Sequence, residues 1–308
     1  MINKIVAVQG NHPSKLNPIT DTSVFLANEI QSKKYKIFYY DPKNLSVINS
    51  KVIAKGFFIK FDYTKKKFFK ILKKQKLDLT RCKFILIRQD PPFNLEYISA
   101  TYILDAIKDK VKIINNPTSI RNVSEKLYSV KYQKYMPSTI FTQNIDEIKN
   151  FFKMHKKVIL KPIHSFSGND IHLLNKFNLK LIQKFIKQHD HIMCQKYLPK
   201  ISKGDKRVFL INGKVCGAIS RVPKKGSFLS NMSKGAKPIN IKLTKTENKI
   251  SKLIAKDLKK ENIYFAGIDF IDQKLNGDIN VTSPTGLKTL FDLSGINLAK
   301  TFWKDLKA

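Results

Sequence analysis

Acidic and amide side chains recur at short intervals in GIDFIDQKLNGDINVTSPTG, the stretch that runs from Gly267 to Gly286. Its apolar alternation predicts two strands joined by a turn at Gln273–Gly277. Asp269 lies inside the first strand, and Asp278 and Asn280 alternate along the second. Residues two apart on a strand share a face, and Asp269 can lie opposite that face across the hairpin. Two carboxylates and an amide at one spot form an oxygen cage for a hard cation.

Turn formation is the alternative explanation of this pattern, because Asp and Asn are also common in turns. A cation site with so few carboxylates has a further implication. Mg²⁺ is usually held by one or two carboxylates together with substrate phosphates, rather than by an all-protein cage. If the stretch binds a metal, it therefore predicts a nucleotide partner whose phosphates are held by other parts of the chain.

The composition is that of a globular protein of two or three packed modules, with 308 residues, 42% of them hydrophobic and 26% charged. No apolar run reaches the length of a membrane span, and MINKIVAVQG resembles a first strand rather than a signal peptide. The cytoplasm is therefore the predicted location, without a membrane partner. Cys82, Cys194 and Cys216 have no disulfide-framework or metal-ligand spacing and are expected to be reduced.

The formal charge of +35 comes almost entirely from lysines that are spread along the chain instead of forming one basic stripe. This distribution argues against a nucleic-acid partner, although a basic nucleic-acid-binding protein stays open as a function of another class. The chain has five arginines: Arg81, Arg88, Arg121, Arg207 and Arg221. Guanidinium offers a rigid fork to carboxylate or phosphate that lysine cannot copy, so these few residues are candidate ligand contacts. Arg81 is the exception and is read as a surface charge.

Strand-like runs alternate with helix-like segments over residues 1–121. KIVAVQ, KIFYYD, KFILIRQ and VKIINNP are predicted strands, TDTSVFLANEIQSKK and EYISATYILDAIKDK are predicted helices, and KKKFFKILKK is a basic amphipathic segment. This pattern predicts an open α/β sheet covered on both faces. Ligands bind beyond the carboxyl ends of strands in such sheets, so Arg88, at the end of KFILIRQ, is a candidate binding residue.

A second module is predicted over residues 122–200, with a helix at SEKLYSVKYQKY and strands at KKVILKP and DIHLL. The polar segment IHSFSGN between these strands is a candidate flap whose backbone N–H groups can cover phosphates. Lys161 ends the strand that enters the flap.

The last module, residues 201–308, is predicted to have α+β character. DKRVFLI and KVCGAISRV form a hairpin about the Asn212-Gly213 turn, followed by a long helix from about Thr244, the acidic hairpin and a closing helix. Arg207 and Arg221 alternate into the first two strands. An unpaired buried guanidinium is costly, so both are expected to face a ligand.

Five fragments in order carry a resemblance over nearly the whole chain: IRQDPPFNLEYISATYILD, NNPTSIRNVSEKLY, GDKRVFLINGKV, SRVP and AGIDFID with DINVTSPTG. Together they resemble the bacterial glutathione synthetases, which are ATP-grasp ligases. The resemblance implies an ATP-grasp fold with an N-terminal open α/β sheet domain, and the ligation of γ-glutamylcysteine to glycine through an acyl phosphate. It also implies ATP as co-substrate, Mg²⁺ with Mn²⁺ as a second candidate, and a homo-oligomer.

The resemblance assigns roles residue by residue. It implies Arg207 and Arg221 as catalytic residues, Asp269, Asp278 and Asn280 as metal ligands, and substrate contacts from Arg88, Ser283, Thr285 and Gly286. The implied ATP residues are Lys126, Lys161, Gly168, Gln195, Lys196, Tyr197, Leu198, Asp205 and Arg207. Gln195–Leu198 would line the adenine, and Asp205 would lie near the ribose.

The chain departs from the family pattern at three places. The glycine-rich flap is reduced to Ser165, Phe166, Ser167 and Gly168, Asp278 replaces a glutamate, and Leu229 replaces an arginine beside a retained Asn231. Transfer of a phosphoryl group to a carboxylate needs cations rather than a protein nucleophile, so no histidine is given a catalytic role. The alternatives are an ATP-grasp ligase with another amine or peptide substrate, and a degenerate protein that binds ATP without catalysis.

Overall fold

The computed structural model describes residues 4–165 and 168–308. The strands of this part of the chain form three sheets that follow one another in sequence. The first sheet contains β1 (Ile5–Gln9), β2 (Lys36–Tyr40), β3 (Leu45–Ile48), β4 (Lys51–Phe61), β5 (Phe69–Asp78), β6 (Phe84–Ile87) and β7 (Lys112–Ile114). Its order is β3-β4-β2-β1-β6-β7, with β5 on β4, and β1, β2, β6 and β7 are parallel.

The helices cover this sheet and support the other two. They are α1 (Thr22–Ser32), α2 (Leu95–Asp105), α3 (Pro117–Asn122), α4 (Ile145–His155), α5 (Leu179–His189), α6 (Lys245–Lys260), α7 (Leu287–Ser294) and α8 (Leu298–Asp305). Successive residues of β1 point to opposite faces. Val6 and Val8 therefore pack with α1 and α8, whereas Ala7 packs with α2 and α3. The N-terminal sheet is covered on both faces, as predicted, and one cover comes from the C-terminal helices.

The second and third sheets are antiparallel. The second contains β8 (Thr139–Thr142), β9 (Val158–Pro162), β10 (His172–Leu174) and β11 (Ile192–Lys196), in the order β10-β9-β11-β8. The third contains β12 (Asp205–Ile211), β13 (Lys214–Val222), β14 (Lys237–Asn240), β15 (Phe265–Ile271) and β16 (Lys274–Asn280), in the order β14-β13-β12-β15-β16. The α/β class with α+β character in the C-terminal half is therefore confirmed, while the domain bounds 1–121, 122–200 and 201–308 stay a prediction.

Two segments differ from the helix-like pattern of the sequence. The basic amphipathic segment contributes to β5, because its residues pair with β4 in a ladder that runs from Ile53 to Phe61 with one register shift between Phe58 and Ile59. The segment SEKLYSVKYQKY forms a 3₁₀ helix, Leu127–Tyr135, that is interrupted at Tyr132 (φ −119°). In both cases the conformation depends on packing against a neighbouring element, and the periodicity of hydrophobic residues within the segment does not indicate that packing.

The turn of the acidic hairpin is shorter than predicted. Asp272 and Gln273 form it alone, with φ of 47° and 62°, and two positive-φ residues match the twist of the flanking strands. Residues 274–277, assigned to the turn by sequence, belong to β16, where Leu275 pairs with Phe270. The register shifts beyond this pair, and β16 still carries Asp278 and Asn280.

The cysteines are consistent with the predicted structural role. Cys82, Cys194 and Cys216 are free thiols, and the first two are buried. Burial raises the pKa of Cys82 and of Cys194 to about 12, which keeps these thiols protonated. Among the described helices, none combines the length and the apolarity needed to cross a membrane.

Candidate active site

A cavity opens between the second and third sheets, with about 900 Å³ of empty space when the open solvent at its entrance is included. All of the predicted ATP, catalytic and metal residues line it: Lys126, Lys161, Gly168, Gln195, Lys196, Tyr197, Leu198, Asp205, Arg207, Arg221, Asp269, Asp278 and Asn280. The structure therefore brings together residues that are spread over more than half of the sequence. We call this space the first cavity.

Two buried lysines approach one carboxylate in the first cavity. Lys161 Nζ lies 3.7 Å from Asp278 Oδ2, and Lys126 Nζ lies 3.6 Å from Asp278 Oδ1. Lys161 also donates to Gln195 Oε1 (3.1 Å), to the backbone carbonyl of Asn276 (2.9 Å) and to Asn276 Oδ1 (2.9 Å). Burial lowers the pKa of Lys161, and Asp278 opposes that shift. Two cations facing one anion leave a positive charge, which suits a phosphate group.

Arginine and aspartate side chains form a buried cluster on the third sheet. The strand register places Arg207 opposite Asp269 and Asp205 opposite Arg221. Arg207 donates Nε (2.5 Å) and Nη2 (2.9 Å) to the two oxygens of Asp269. Arg221 donates Nε (2.7 Å) and Nη2 (2.5 Å) to Asp205, and its Nη2 also lies 3.1 Å from Asp269 Oδ2. Cross-strand pairing thus holds both guanidinium groups at the cavity wall.

The charges in this cluster stabilise one another. Burial alone raises the pKa of Asp269, but Arg207 and Arg221 outweigh it and bring the pKa down to about 2. Burial alone lowers the pKa of Arg221, but Asp205 and Asp269 raise it above its ordinary value. Burial also raises the pKa of Asp205, and Arg221, which donates two hydrogen bonds to this carboxylate, opposes that shift.

The predicted metal ligands lie on β15 and β16 at the wall of the first cavity. Asn280 Nδ2 donates to the Gly267 carbonyl (3.1 Å) and lies 3.5 Å from Asp269 Oδ2, while its Oδ1 accepts no hydrogen bond within residues 4–165 and 168–308. The same residues contain no group of three or more His, Cys, Asp and Glu side chains arranged to hold a metal. Two carboxylates and one amide oxygen fit a hard cation that takes its remaining ligands from phosphates.

The residues assigned to the adenine, Gln195–Leu198, also line the first cavity. The backbone N–H of Lys196 donates to the Ser138 carbonyl (2.9 Å), and that of Tyr197 donates to the Lys157 carbonyl (3.0 Å). In the part of the chain that the structure describes, the Leu198 N–H donates to no protein group. Of these N–H groups, that of Leu198 is the one available to a ring acceptor.

Gly168 closes another side of the first cavity. Its φ is +71°, and a Cβ placed there would lie 2.5 Å from Asn231 Oδ1 and 3.6 Å from Leu229 Cδ2. The glycine is therefore required both by the backbone and by the close approach of Asn231. Of the remaining residues of the reduced flap, Phe166 and Ser167 lie outside the described residues.

A second cavity, of about 1470 Å³, adjoins the first on the side of the N-terminal sheet. Ser283 and Thr285 line it, as the substrate assignment requires, together with Asp21 and Asp90. Gly286 does not line it, and its N–H donates to Thr22 Oγ1 (3.1 Å). This bond joins α1 to the start of α7, and the substrate contact of Gly286 stays a prediction.

Arg88 is 7% exposed and lies behind the loop that carries Ser283. Its Nε donates to Ser23 Oγ (3.0 Å) and its Nη2 to the Pro284 carbonyl (3.1 Å). Burial lowers the pKa of Arg88, which the negative charges of Asp21 and Asp90 oppose. The guanidinium is therefore placed to neutralise two acids of the second cavity, and its contact with a substrate carboxylate stays a prediction.

Sequence reasoning missed two residues of the site. Asn276, which holds Lys161, was assigned to the turn, although it alternates with Asp278 and Asn280 and this alternation was the signal. Glu125 lines both cavities, and only its position beside Lys126 could have indicated it.

Family models match the chain in two parts. The model for "Prokaryotic glutathione synthetase, N-terminal domain" matches residues 5–121, and that for "Prokaryotic glutathione synthetase, ATP-grasp domain" matches residues 125–295. The glutathione synthetase of Agrobacterium fabrum is 33% identical over 311 aligned residues, covering 97% of this chain and 95% of that protein. The glutathione synthetase of Buchnera aphidicola subsp. Baizongia pistaciae is 35% identical over 301 residues, covering 96% and 93%.

Solved ATP-grasp ligases are similar over the whole chain. PsnB, complexed with Mg, ADP and a phosphomimetic variant of its minimal precursor, has a TM-score of 0.66 at 12% identity, covering 99% of this chain and 98% of that one. D-alanyl-alanine synthetase A from Vibrio cholerae has a TM-score of 0.64 at 14% identity, covering 100% and 98%. At these identities the likeness establishes the fold alone, and it confirms the predicted ATP-grasp fold.

Proposed function

The chain belongs to the prokaryotic glutathione synthetase family, and from that premise we propose how its residues divide the work of the reaction. The protein is an ATP-dependent ligase that joins γ-glutamylcysteine to glycine as glutathione, with ADP and phosphate as the other products. The observation that carries our assignment of roles is the first cavity, where two buried lysines and two buried arginines surround three carboxylates.

ATP occupies the first cavity in our proposal. Lys126 and Lys161 bind its phosphates, since both ammonium groups lie beside Asp278 and together carry more charge than that acid neutralises. Gln195–Leu198 line the adenine, with the free Leu198 N–H directed to the ring. Asp205 lies toward the ribose, and each of its oxygens accepts a hydrogen bond from Arg221.

Arg207 and Arg221 stabilise the phosphoryl group during its transfer to the carboxylate of γ-glutamylcysteine. Phosphoryl transfer depends on positioning and on charges that are held in place before the reaction. The salt bridges to Asp205 and Asp269 hold these guanidinium groups in such fixed positions. A lysine at either place would keep the charge and lose the fork.

A divalent cation is expected for this family, and we propose Mg²⁺, with Mn²⁺ as a second candidate, on Asp269, Asp278 and Asn280. Such an ion would supply positive charge that offsets the charge of the phosphate oxygens. The three side chains provide hard oxygen ligands, which suit either ion. Asp278 also keeps the two phosphate lysines near the metal site.

γ-Glutamylcysteine occupies the second cavity in our proposal, next to Ser283 and Thr285, which line it, and to Gly286 at the start of α7. Arg88 supports this site from behind the loop. We further propose that the protein is located in the cytoplasm, forms a homo-oligomer and has no nucleic-acid partner. The alternative of a ligase for another amine is not favoured by the matches to glutathione synthetases.

Phosphate release from ATP tests the proposal directly. It is measured with the divalent ion, γ-glutamylcysteine and glycine, each omitted in turn, and the product is identified by mass spectrometry. Release that requires every component, with glutathione as product, is the expected result. Release that continues with another amine in place of glycine, but not with glycine, would overturn the assigned specificity.

A further inference from the structure

Glu125 lies where the two cavities meet. The residues that line both cavities are Glu125, Arg207, Arg221, Asn231 and Asn280. Two of these carry positive charge, two are neutral amides, and Glu125 is the carboxylate among them. In the reaction, the acyl phosphate formed at the first cavity and the incoming amine must meet at this junction.

One oxygen of Glu125 is fully used by the protein. Oε1 accepts hydrogen bonds from the Val281 N–H (2.9 Å), the Thr282 N–H (3.1 Å) and Thr282 Oγ1 (2.8 Å). The Glu125 carbonyl accepts a further bond from the Ile279 N–H (2.8 Å). These bonds fix the carboxylate beside the segment that follows Asn280, so its position at the junction is rigid.

The other oxygen is available to a ligand. Within residues 4–165 and 168–308, Glu125 Oε2 accepts no hydrogen bond, and the carboxylate forms no salt bridge with lysine, arginine or histidine. In this part of the chain, the negative charge of Glu125 is therefore stabilised only by neutral hydrogen-bond donors, all of which bind Oε1. The other acids of the second cavity, Asp21 and Asp90, do not line the first cavity and are farther along the path of the amine.

Glycine reaches the site as a zwitterion with a positively charged ammonium group. Arg207 and Arg221 at the junction repel that group, while they attract the phosphate and its carboxylate partner. A carboxylate at the junction offsets this repulsion and orients the nitrogen toward the acyl carbon.

We propose that Glu125 binds the ammonium group of glycine through Oε2 and so selects the amine substrate. This inference rests on the proposed function. One proton of the bound ammonium group first passes to solvent, which frees the lone pair of the nitrogen. The nitrogen then forms the bond to the acyl carbon as the bond from that carbon to the phosphate oxygen breaks, phosphate leaves, and a second proton passes to solvent. Glu125 is an amine-binding residue in this scheme, and the cations of the site act on the phosphate.

The Glu125→Gln variant tests the proposal, because Gln keeps an oxygen for the Val281 and Thr282 donors and replaces the negative Oε2 with an N–H₂ group. A lost charge-assisted hydrogen bond predicts that the KM for glycine rises about 10- to 100-fold, with the KM for ATP unchanged. Hydroxylamine supplies the second readout, because it is a nucleophile that is mostly uncharged at neutral pH. Hydroxylamine-dependent phosphate release should persist in the variant, since this amine brings no ammonium group.

Two control variants separate charge from structure. Thr282→Val removes the hydroxyl donor to Glu125 Oε1 and leaves the negative charge of Glu125 in place. If the role of Glu125 is purely structural, Thr282→Val should have the same kinetic effect as Glu125→Gln. Glu96→Gln makes the same chemical change at the exposed Glu96 of α2 and should leave all constants unchanged. If circular dichroism shows that Glu125→Gln does not fold, Glu125→Asp takes its place, since withdrawal of the carboxylate by one methylene also weakens glycine binding.

A selective rise in the glycine KM, with hydroxylamine-dependent release retained and Thr282→Val close to wild type, supports the proposal. An unchanged glycine KM, or an equal loss with hydroxylamine, overturns it. The failure of the proposed function is a separate result, because the wild-type enzyme itself would then form no glutathione.

Discussion

Asp269→Asn changes one buried charge and almost no volume, so it probes the arginine–aspartate cluster directly. Arg207, Arg221, Asp205 and Asp269 carry two positive and two negative charges, and each acid is held by charge-assisted hydrogen bonds. The substitution leaves two guanidinium groups against one carboxylate in a buried setting. Asn also cannot accept bonds from Arg207 Nε and Nη2 on two oxygens.

The expected loss is large compared with the stability of the protein. Removing one partner from a buried ion pair costs about 3–5 kcal/mol, out of a typical total of about 5–15 kcal/mol. The pKa shift has the same direction and order of magnitude, since a change from 3.8 to about 2 corresponds to about 2 kcal/mol. The folded-state pKa is the lower one, so this stabilisation is present above pH 3.8 and is lost as the pH falls through the folded-state value. The variant should therefore differ from wild type throughout the neutral range.

Asp278→Asn is the matched comparison, because Asp278 is also a proposed metal ligand but is less buried. Its side chain is 23% exposed, and its lysine partners lie at 3.6 and 3.7 Å. These pairs are longer than the hydrogen-bonded pairs of Asp269, and without Asp278 both lysines keep neutral acceptors at Ser165, Gln195 and Asn276, so a smaller loss of stability is expected. Both variants should therefore lose activity that depends on the divalent ion, whereas only Asp269→Asn should lose several kcal/mol of stability.

Urea unfolding without nucleotide or metal measures this difference, since bound ligands would stabilise the proteins unequally. The midpoint of Asp269→Asn should fall far below that of wild type, with a similar slope, and that of Asp278→Asn should stay close. Equal midpoints for the two variants would refute the view that the ion-pair cluster stabilises the third sheet.

Three further predictions concern catalysis. Arg207→Lys should lower kcat about 100- to 1000-fold while the far-ultraviolet circular dichroism stays that of wild type, because one donor to the transition state is worth that much; undiminished phosphate release would remove Arg207 from the mechanism. Asp278→Asn should raise the Mg²⁺ concentration needed for half-maximal activity, and full activity at low Mg²⁺ would exclude Asp278 as a ligand. Gly168→Ala should raise the KM for ATP, because an alanine Cβ would collide with Asn231 Oδ1 at a positive φ; an unchanged KM would show that this contact does not shape the cavity.

Local patterns were sufficient where the relevant period is short. The alternation in DKRVFLI and KVCGAISRV indicates strands, and Asn212-Gly213 indicates the turn between them, since both residues tolerate positive φ. The same alternation placed Arg207 and Arg221 toward a ligand. Fragments similar to a known family also indicate the fold and the reaction from the sequence alone.

Long-range partners were decided only by the tertiary structure. KKKFFKILKK has the composition of an amphipathic helix, but part of it forms β5 because β4 offers it a ladder of hydrogen bonds. Glu125 is an ordinary acid in the sequence, yet it contacts Thr282, more than 150 positions away, and joins the two cavities. The sequence by itself determined which residue types could bind phosphate and metal. Which of them share a cavity depended on packing, because a hydrogen bond between distant segments leaves no period in either one.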